Sequence, residues 1–300
     1  MDSIISVQNV SKHYGDYTAV NSINLELKKG CLFGLLGPNG AGKTSLIRMM
    51  TTITSIDEGQ ILFNGVPLNG KSPQYIGYMP EERGLYKKMK VGEQLLYLAQ
   101  LKGMSKKEAN EKICFWMERF EIMDWWSKEI NELSKGMQQK IQFISTVVHE
   151  PELLILDEPF SGLDPINTNL IKSEIFRLKE KGTTIIFSTH RMEQVEEICE
   201  EIMLVNKGNT VLGGNIQDIR NTYKKNHFEI KTANPLNNTD NIPGTVLDQQ
   251  GNTMIVHLEN DKDSNELIKY FINKGERLIS FKEILPSLNE IFIQTVESVA

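Results

Sequence analysis

The sequence predicts an α/β fold, with a parallel sheet covered by helices on both sides, followed by a small α+β unit. Three observations predict it. Residues 31–36, 153–156 and 183–188 are short, almost wholly apolar runs, the composition of strands buried on both faces. Amphipathic helical segments lie between these runs, and alternation of buried strands with helices is how a parallel sheet is built. After about Arg220 the pattern changes to short alternating strands and two helices, set off by a polar, Asn- and Pro-rich stretch at residues 233–243.

The elements follow in order. Residues 4–10 and 23–27 alternate as half-buried strands do. The strand at 31–36 runs straight into a glycine-rich turn and then into the helical pattern of Leu46, Ile47, Met49 and Met50. Helices are expected over 93–101, 106–120, 134–149 and 165–180, with the strands 76–80, 153–156 and 183–188 between or beside them. The carboxy-terminal unit reads as strands at 227–232, 244–247, 253–258 and 277–281, with helices at 264–273 and 287–296, in a ferredoxin-like arrangement. The chain is accordingly divided into residues 1–220 and 221–300.

Composition narrows the function. The 300 residues fit one large domain and one small one, and 40% hydrophobic with 24% charged residues is ordinary globular composition. Cys31, Cys114 and Cys199 show no metal-type spacing and read as small buried hydrophobes in a reducing compartment. The segment Met1-Asp2-Ser3-Ile4-Ile5 has neither the basic nor the apolar region of a secretory signal. No apolar run approaches the ~20 residues needed to cross a bilayer, so any membrane part is expected to come from another chain. A net charge of -6 weighs against a nucleic-acid partner, which wants a basic face.

Two motifs carry chemistry. Gly37-Pro38-Asn39-Gly40-Ala41-Gly42-Lys43-Thr44, followed by Ser45, matches the P-loop pattern and sits where its mechanism requires, between a buried strand and a helix. Its glycines let backbone N–H groups wrap phosphates, and the helix N-terminus adds partial positive charge. Lys43 is placed to reach the β- and γ-phosphates of ATP, and the Thr44 hydroxyl to ligate Mg²⁺. In Leu153-Leu154-Ile155-Leu156-Asp157-Glu158, two carboxylates emerge at the C-terminal end of a buried strand, where open α/β sheets bind ligands. Asp157 is expected to hold the Mg²⁺ shell, and Glu158 to orient and deprotonate an attacking water. Leu133-Ser134-Lys135-Gly136-Met137-Gln138-Gln139-Lys140 reads on its own as a capping serine opening an amphipathic helix.

Together these residues resemble the ATP-binding subunit of an ABC transporter over about residues 2–220, which implies a P-loop NTPase cassette with a mixed sheet core and a helical signature subdomain. The resemblance implies further roles. Tyr14 would stack on adenine, although a lone aromatic at a strand end also serves as packing. Ser134 and Gly136 stand in the signature that reaches phosphate, with Lys135 and Met137 departing from the usual L-S-G-G-Q. Asp164, in Ser161-Gly162-Leu163-Asp164, would lie at the face shared by two cassettes, and Asp164-Pro165 is equally a good helix N-cap. His190 would contact the γ-phosphate. Glu81 stands where the family has glutamine. Ionised, it cannot donate a hydrogen bond but can help hold Mg²⁺ or its water.

The segments 81–86 and 281–292 are similar to a bacterial exporter subgroup of the ABC-2 type that includes sodium-extrusion ATPase subunits. The implied partners are a membrane permease and a second cassette, expected as a homodimer, with the chain peripheral on the cytoplasmic face of the membrane. Three other readings remain: a soluble ABC-type ATPase acting on ribosomes or DNA, an ATP-sensing regulator not coupled to transport, and an importer subunit.

Overall fold

The computed structural model describes residues 3–235, 241–259 and 264–297. Residues 236–240, the middle of the polar stretch at 233–243, lie outside the described residues, as do Met1 and Asp2 of the amino-terminal segment. The chain forms two compact units, residues 1–214 and 215–300.

The first unit opens with two long strands, β1 (Ser3–Tyr14) and β2 (Tyr17–Lys28). Both exceed the expected spans because the alternation of apolar residues continues past them on β-bulges. With β4 (Glu58–Phe63) and β5 (Val66–Pro67) they form an antiparallel sheet of order β2-β1-β4-β5. The second sheet uses β3 (Leu32–Leu36), β6 (Ile76–Met79), β7 (Leu153–Asp157), β8 (Thr184–Thr189), β9 (Glu201–Asn206) and β10 (Asn209–Asn215). Its order is β10-β9-β3-β8-β7-β6, and β9, β3, β8, β7 and β6 pair in parallel. The buried runs of the sequence are its central strands: every residue of β3, β7 and β8 is buried.

Helix α1 (Lys43–Met50) follows β3, and its Leu46, Ile47, Met49 and Met50 belong to a single core with residues of both sheets. Burying one such side chain stabilises the fold by ~1.5–3 kcal/mol, so α1 is fixed firmly under the loop it follows. Helices α2 (Val91–Leu101), α3 (Lys106–Arg119) and α4 (Lys135–Val147) form the expected helical region. They are followed by α5 (Pro165–Glu180) and the short α6 (Met192–Ile198). Glu174 of α5, fully buried, is paired by Arg119 at 2.6 Å and Arg177 at 2.7 Å, which offsets the cost of placing a carboxylate there.

His149, just after α4, is a half-buried ionisable group. Burial, reinforced by the charge of Lys102, holds its imidazole down from 6.5 to about 4. A histidine that binds its proton less readily in the folded chain supports folding fully above pH 6.5, and that support is lost as the pH falls from 6.5 toward 4. The drop corresponds to about 3 kcal/mol. Urea unfolding at pH 7 and pH 4.5 will show His149→Gln losing less stability between the two pH values than the parent chain. Equal acid losses in both would exclude His149 as the source.

The second unit begins with α7 (Ile216–Thr222). The expected division after residue 220 therefore falls inside a helix. That helix belongs to the carboxy-terminal unit, because Arg220 donates to the carbonyls of Pro286 and Leu285. Next come β11 (His227–Thr232), β12 (Thr245–Gln250), β13 (Thr253–His257), α8 (Ser264–Asn273), β14 (Leu278–Ile284) and α9 (Leu288–Glu297). The sheet order is β12-β13-β11-β14, and every pairing is antiparallel. A ferredoxin-like β-α-β-β-α-β order would place a helix between β11 and β12. The described residues of that connection, 233–235 and 241–244, hold none, in keeping with their Asn and Pro content. Phe228, Ile230, Met254, Val256, Leu267 and Phe271 form this unit's own core.

Candidate functional site

The loop from Gly37 to Gly42 is shaped by close backbone contacts. Gly42 has φ +109, and a Cβ there would lie 2.2 Å from the Ala19 carbonyl oxygen of β2. At Gly37, φ +150, a Cβ would lie 2.1 Å from the Val205 carbonyl oxygen of β9. Only glycine fits either place. Gly42 caps α1 without a side-chain hydrogen bond, and the first turn of α1 holds no acidic residue. The first N–H groups of α1 are therefore left for an anion, which the helix dipole also favours. Lys43 Nζ donates to the carbonyls of Gly37 at 2.6 Å and Pro38 at 3.1 Å. Burial lowers its pKa, while the nearby carboxylates of Asp157, Glu158 and Glu81 pull the other way.

Opposite this loop, β7 delivers the two carboxylates. Asp157 is 3% exposed, accepts from Ser188 Oγ at 2.7 Å, and its Oδ2 lies 3.4 Å from Thr44 Oγ1. Burial raises its pKa above the usual carboxylate range, against the opposing effects of the Ser188 hydrogen bond and the Lys43 charge. Glu158, the next residue, adopts φ +51, a left-handed conformation uncommon for a residue with a side chain. That turn sends its carboxylate in another direction. Oε2 accepts from Thr189 Oγ1 at 3.0 Å, and Oε1 accepts from the His190 backbone N–H at 2.8 Å and pairs with His190 Nδ1 at 2.6 Å.

Mg²⁺ prefers oxygen donors and usually keeps waters, bound through one or two carboxylates plus substrate phosphates. The Thr44 hydroxyl beside the Asp157 carboxylate suits that preference. Among the described residues no group of three or more His, Cys, Asp or Glu is set to hold a metal alone; waters and substrate oxygens would complete the shell.

A cavity of about 290 Å³ joins Asn39, Gly40, Ala41, Gly42, Lys43, Thr44, Ser45, Glu81, Asp157 and Glu158. Gly37 and Pro38 are outside the lining, and their carbonyls accept from Lys43 Nζ. His190 contacts Glu158 and does not itself line the cavity. Tyr14 lies outside the lining, 46% exposed, with Lys12 Nζ 5.6 Å from its ring centroid. Ser134, Gly136 and Asp164 are also outside the lining. Ser134 caps α4 by accepting from Met137 N at 3.3 Å, and Asp164 caps α5 by accepting from Asn167 N at 2.9 Å. Gly136 faces Leu163 and Gly162, so the start of α4 abuts the Ser161–Asp164 loop.

The cavity also contains Tyr17 and Ala19, which sequence reasoning missed. Tyr17 Oη donates to the Gly40 carbonyl at 3.2 Å. The available signal was a second aromatic three residues after Tyr14, across a tight turn. Ser188 and Thr189, which hold the two carboxylates, look in the sequence like no more than the end of a buried strand.

A phosphate-gripping loop facing an Asp-Glu strand end, on a parallel sheet with an added antiparallel sheet and helical region, defines a P-loop nucleotide-binding cassette. A family model described as ABC transporter matches residues 20–161, and one described as ATP-binding protein DrrA1-3-like, C-terminal domain, matches residues 214–296. The chain is 45% identical over 297 residues, 99% of both sequences, to the uncharacterized ABC transporter ATP-binding protein YhaQ of Bacillus subtilis. It is 33% identical over 217 residues to the Nod factor export ATP-binding protein I of Cupriavidus metallidurans, covering 71% of this chain and 72% of that one. The solved dimeric cassette MJ0796 shares the fold with a TM-score of 0.66 at 22% identity, over 71% of this chain and 98% of that one. The chain belongs to the ATP-binding proteins of ABC transporters.

Proposed function

We propose that this chain hydrolyses ATP in a Mg²⁺-dependent reaction and thereby drives an exporter whose membrane part is a separate permease. The observation that carries the reading is the split role of the strand end: Asp157 points to Thr44 while Glu158 is held by Thr189 and His190 in the same cavity. Phosphate would sit on the N–H groups of the loop and of α1, with Lys43 exchanging its loop carbonyls for phosphate oxygens. Tyr14, exposed on the β1–β2 hairpin, would receive the adenine. Glu158 would orient a water and take its proton as the water attacks the γ-phosphorus and ADP leaves. Thr44, Asp157 and Glu81 would hold Mg²⁺, which when bound neutralises charge on the β- and γ-phosphates.

Ser134, Gly136 and Asp164 find no role in their own subunit's cavity. In the dimeric reading each signature covers the nucleotide of the other copy, and the helix N-terminus at Ser134 adds favourable charge there. One such terminus contributes ~0.3–1 kcal/mol. Full displacement of a two-state equilibrium needs ~5.5 kcal/mol, so closure must also draw on Lys43 and the opposite loop. The chain would act as a homodimer at the cytoplasmic face of the membrane. In support, no helix among the described residues is long and apolar enough to cross a membrane, and one relative carries export in its name. The permease would dock beside the loop after β6, where Tyr78, Pro80, Leu85, Leu98 and Leu101 line a groove of about 220 Å³. Tyr86 and Tyr97, exposed and edge-to-face at 6.1 Å, lie in the same region of the chain.

The test is complementation. Lys43→Ala and Ser134→Arg subunits will each be inactive alone, and mixing them will restore one composite site and a measurable part of the phosphate release. Complete absence of recovery, with both variants folded and mixed dimers present, excludes assembly of the site from two copies.

A further inference from the structure

Helix α4 carries two buried glutamines on one face, Gln139 at 1% and Gln142 at 3% exposure, and neither belongs to the nucleotide cavity. Their amides are placed without ambiguity by what they meet. Arg83 can only donate, and its Nε reaches Gln139 Oε1 at 3.2 Å. The Pro159 carbonyl can only accept, and it takes Gln139 Nε2 at 2.9 Å. Gln142 Nε2 likewise donates to the Pro80 carbonyl at 2.8 Å. Pro80 and Arg83 belong to the loop that follows β6 and carries Glu81. Pro159 directly follows Glu158, whose backbone sits in its left-handed turn.

From this geometry we infer that Gln139 is a positioning residue for ATP hydrolysis, a buried amide that ties the Arg83 loop to the turn holding Glu158. The inference rests on the reading of Glu158 as the group that deprotonates water. The amide acts through Pro159: with its Nε2 donor in place, the Pro159 carbonyl is held, and with it the turn that leaves Glu158. Gln142 anchors the same loop one turn along the helix, so Arg83 meets the amide from a set position. A shift of the loop at residues 80–83 is thereby carried to the carboxylate without passing through the nucleotide.

The full chain with MgATP tests it, using kcat from phosphate release and Kd from nucleotide titration. Gln139→Glu keeps an acceptor for Arg83 but loses the donor to Pro159. It will lower kcat tenfold or more while Kd for ATP stays within twofold. Arg83→Ala, which leaves the core untouched, will lower kcat three- to tenfold, and Arg83→Lys, which restores an N–H donor, will recover most of that loss. The inference is overturned if both Gln139→Glu and Arg83→Ala turn over like the parent, or if kcat and Kd change together. A parent chain that binds ATP with no turnover overturns the reading of Glu158 itself; normal parent turnover with unaffected variants removes Gln139 alone.

Discussion

Glu158→Gln will still bind MgATP, and its turnover will fall by ~10²–10⁴, the range of a general-base contribution. The side chains have the same shape, so the left-handed backbone at residue 158 and the hydrogen bond from the His190 N–H to one oxygen both persist. What disappears is the acceptor that would take a proton from water. The amide also puts a donor near Thr189 Oγ1, 3.0 Å from the present Oε2, which that hydroxyl can meet by rotating to accept. Binding and chemistry therefore separate. Single-turnover phosphate release with an independent Kd measures both, and parent-like release would take Glu158 out of the reaction.

The second large effect is expected at Gly42. An alanine there brings Cβ to 2.2 Å from the Ala19 carbonyl oxygen while the backbone must hold φ +109. Positive φ at a residue with a side chain costs ~1–3 kcal/mol. Overpacking against fixed backbone costs a further ~1–3 kcal/mol. Neither strain can relax without moving β2 or unwinding the start of α1, and both movements displace the N–H groups meant for phosphate. Gly42→Ala will thus weaken ATP binding on the order of 10²-fold or more, since each 1.4 kcal/mol is tenfold. Gly40→Ala is the control: its φ is +78, but a Cβ there meets nothing within 4 Å, so only the backbone term applies. Equal affinity losses for the two would refute the steric argument.

The parts of the site that were legible in the sequence are those contiguous in it. The loop at 37–44 and the strand end at 157–158 each compress strand, turn and chemistry into a few residues, so local pattern sufficed. The cap roles of Ser134 and Asp164 were equally local, and both caps are present. Contributions from distant strands were hidden. Tyr17 and Ala19 reach the cavity only because β2 passes close to Gly42, and nothing in an alternating strand announces that approach. Gln139 is polar in a helix whose apolar stripe suggested that polar residues face water, yet it is buried because two partners in other segments satisfy it. The strands at 58–63 and 201–206 escaped notice because short runs flanked by turns and charges carry little periodic signal. In the second unit the strand spans were read to within a few residues, while the connection from β11 to β12 depended on topology.

The pairing of β7 with β8 has one further consequence. Asp157 stands level with Ser188, so the neighbouring Thr189 and His190 fall to Glu158. The end of β8 is in effect a ruler that allots one carboxylate to each duty. A slip by one residue would turn Ser188 to the opposite side of the sheet and offer Asp157 the grip meant for its neighbour. A one-residue deletion inside β8 should thus bring Thr189 level with Asp157, take it from Glu158 and silence the site, whereas one in the turn after α5 is absorbed before the ruler begins.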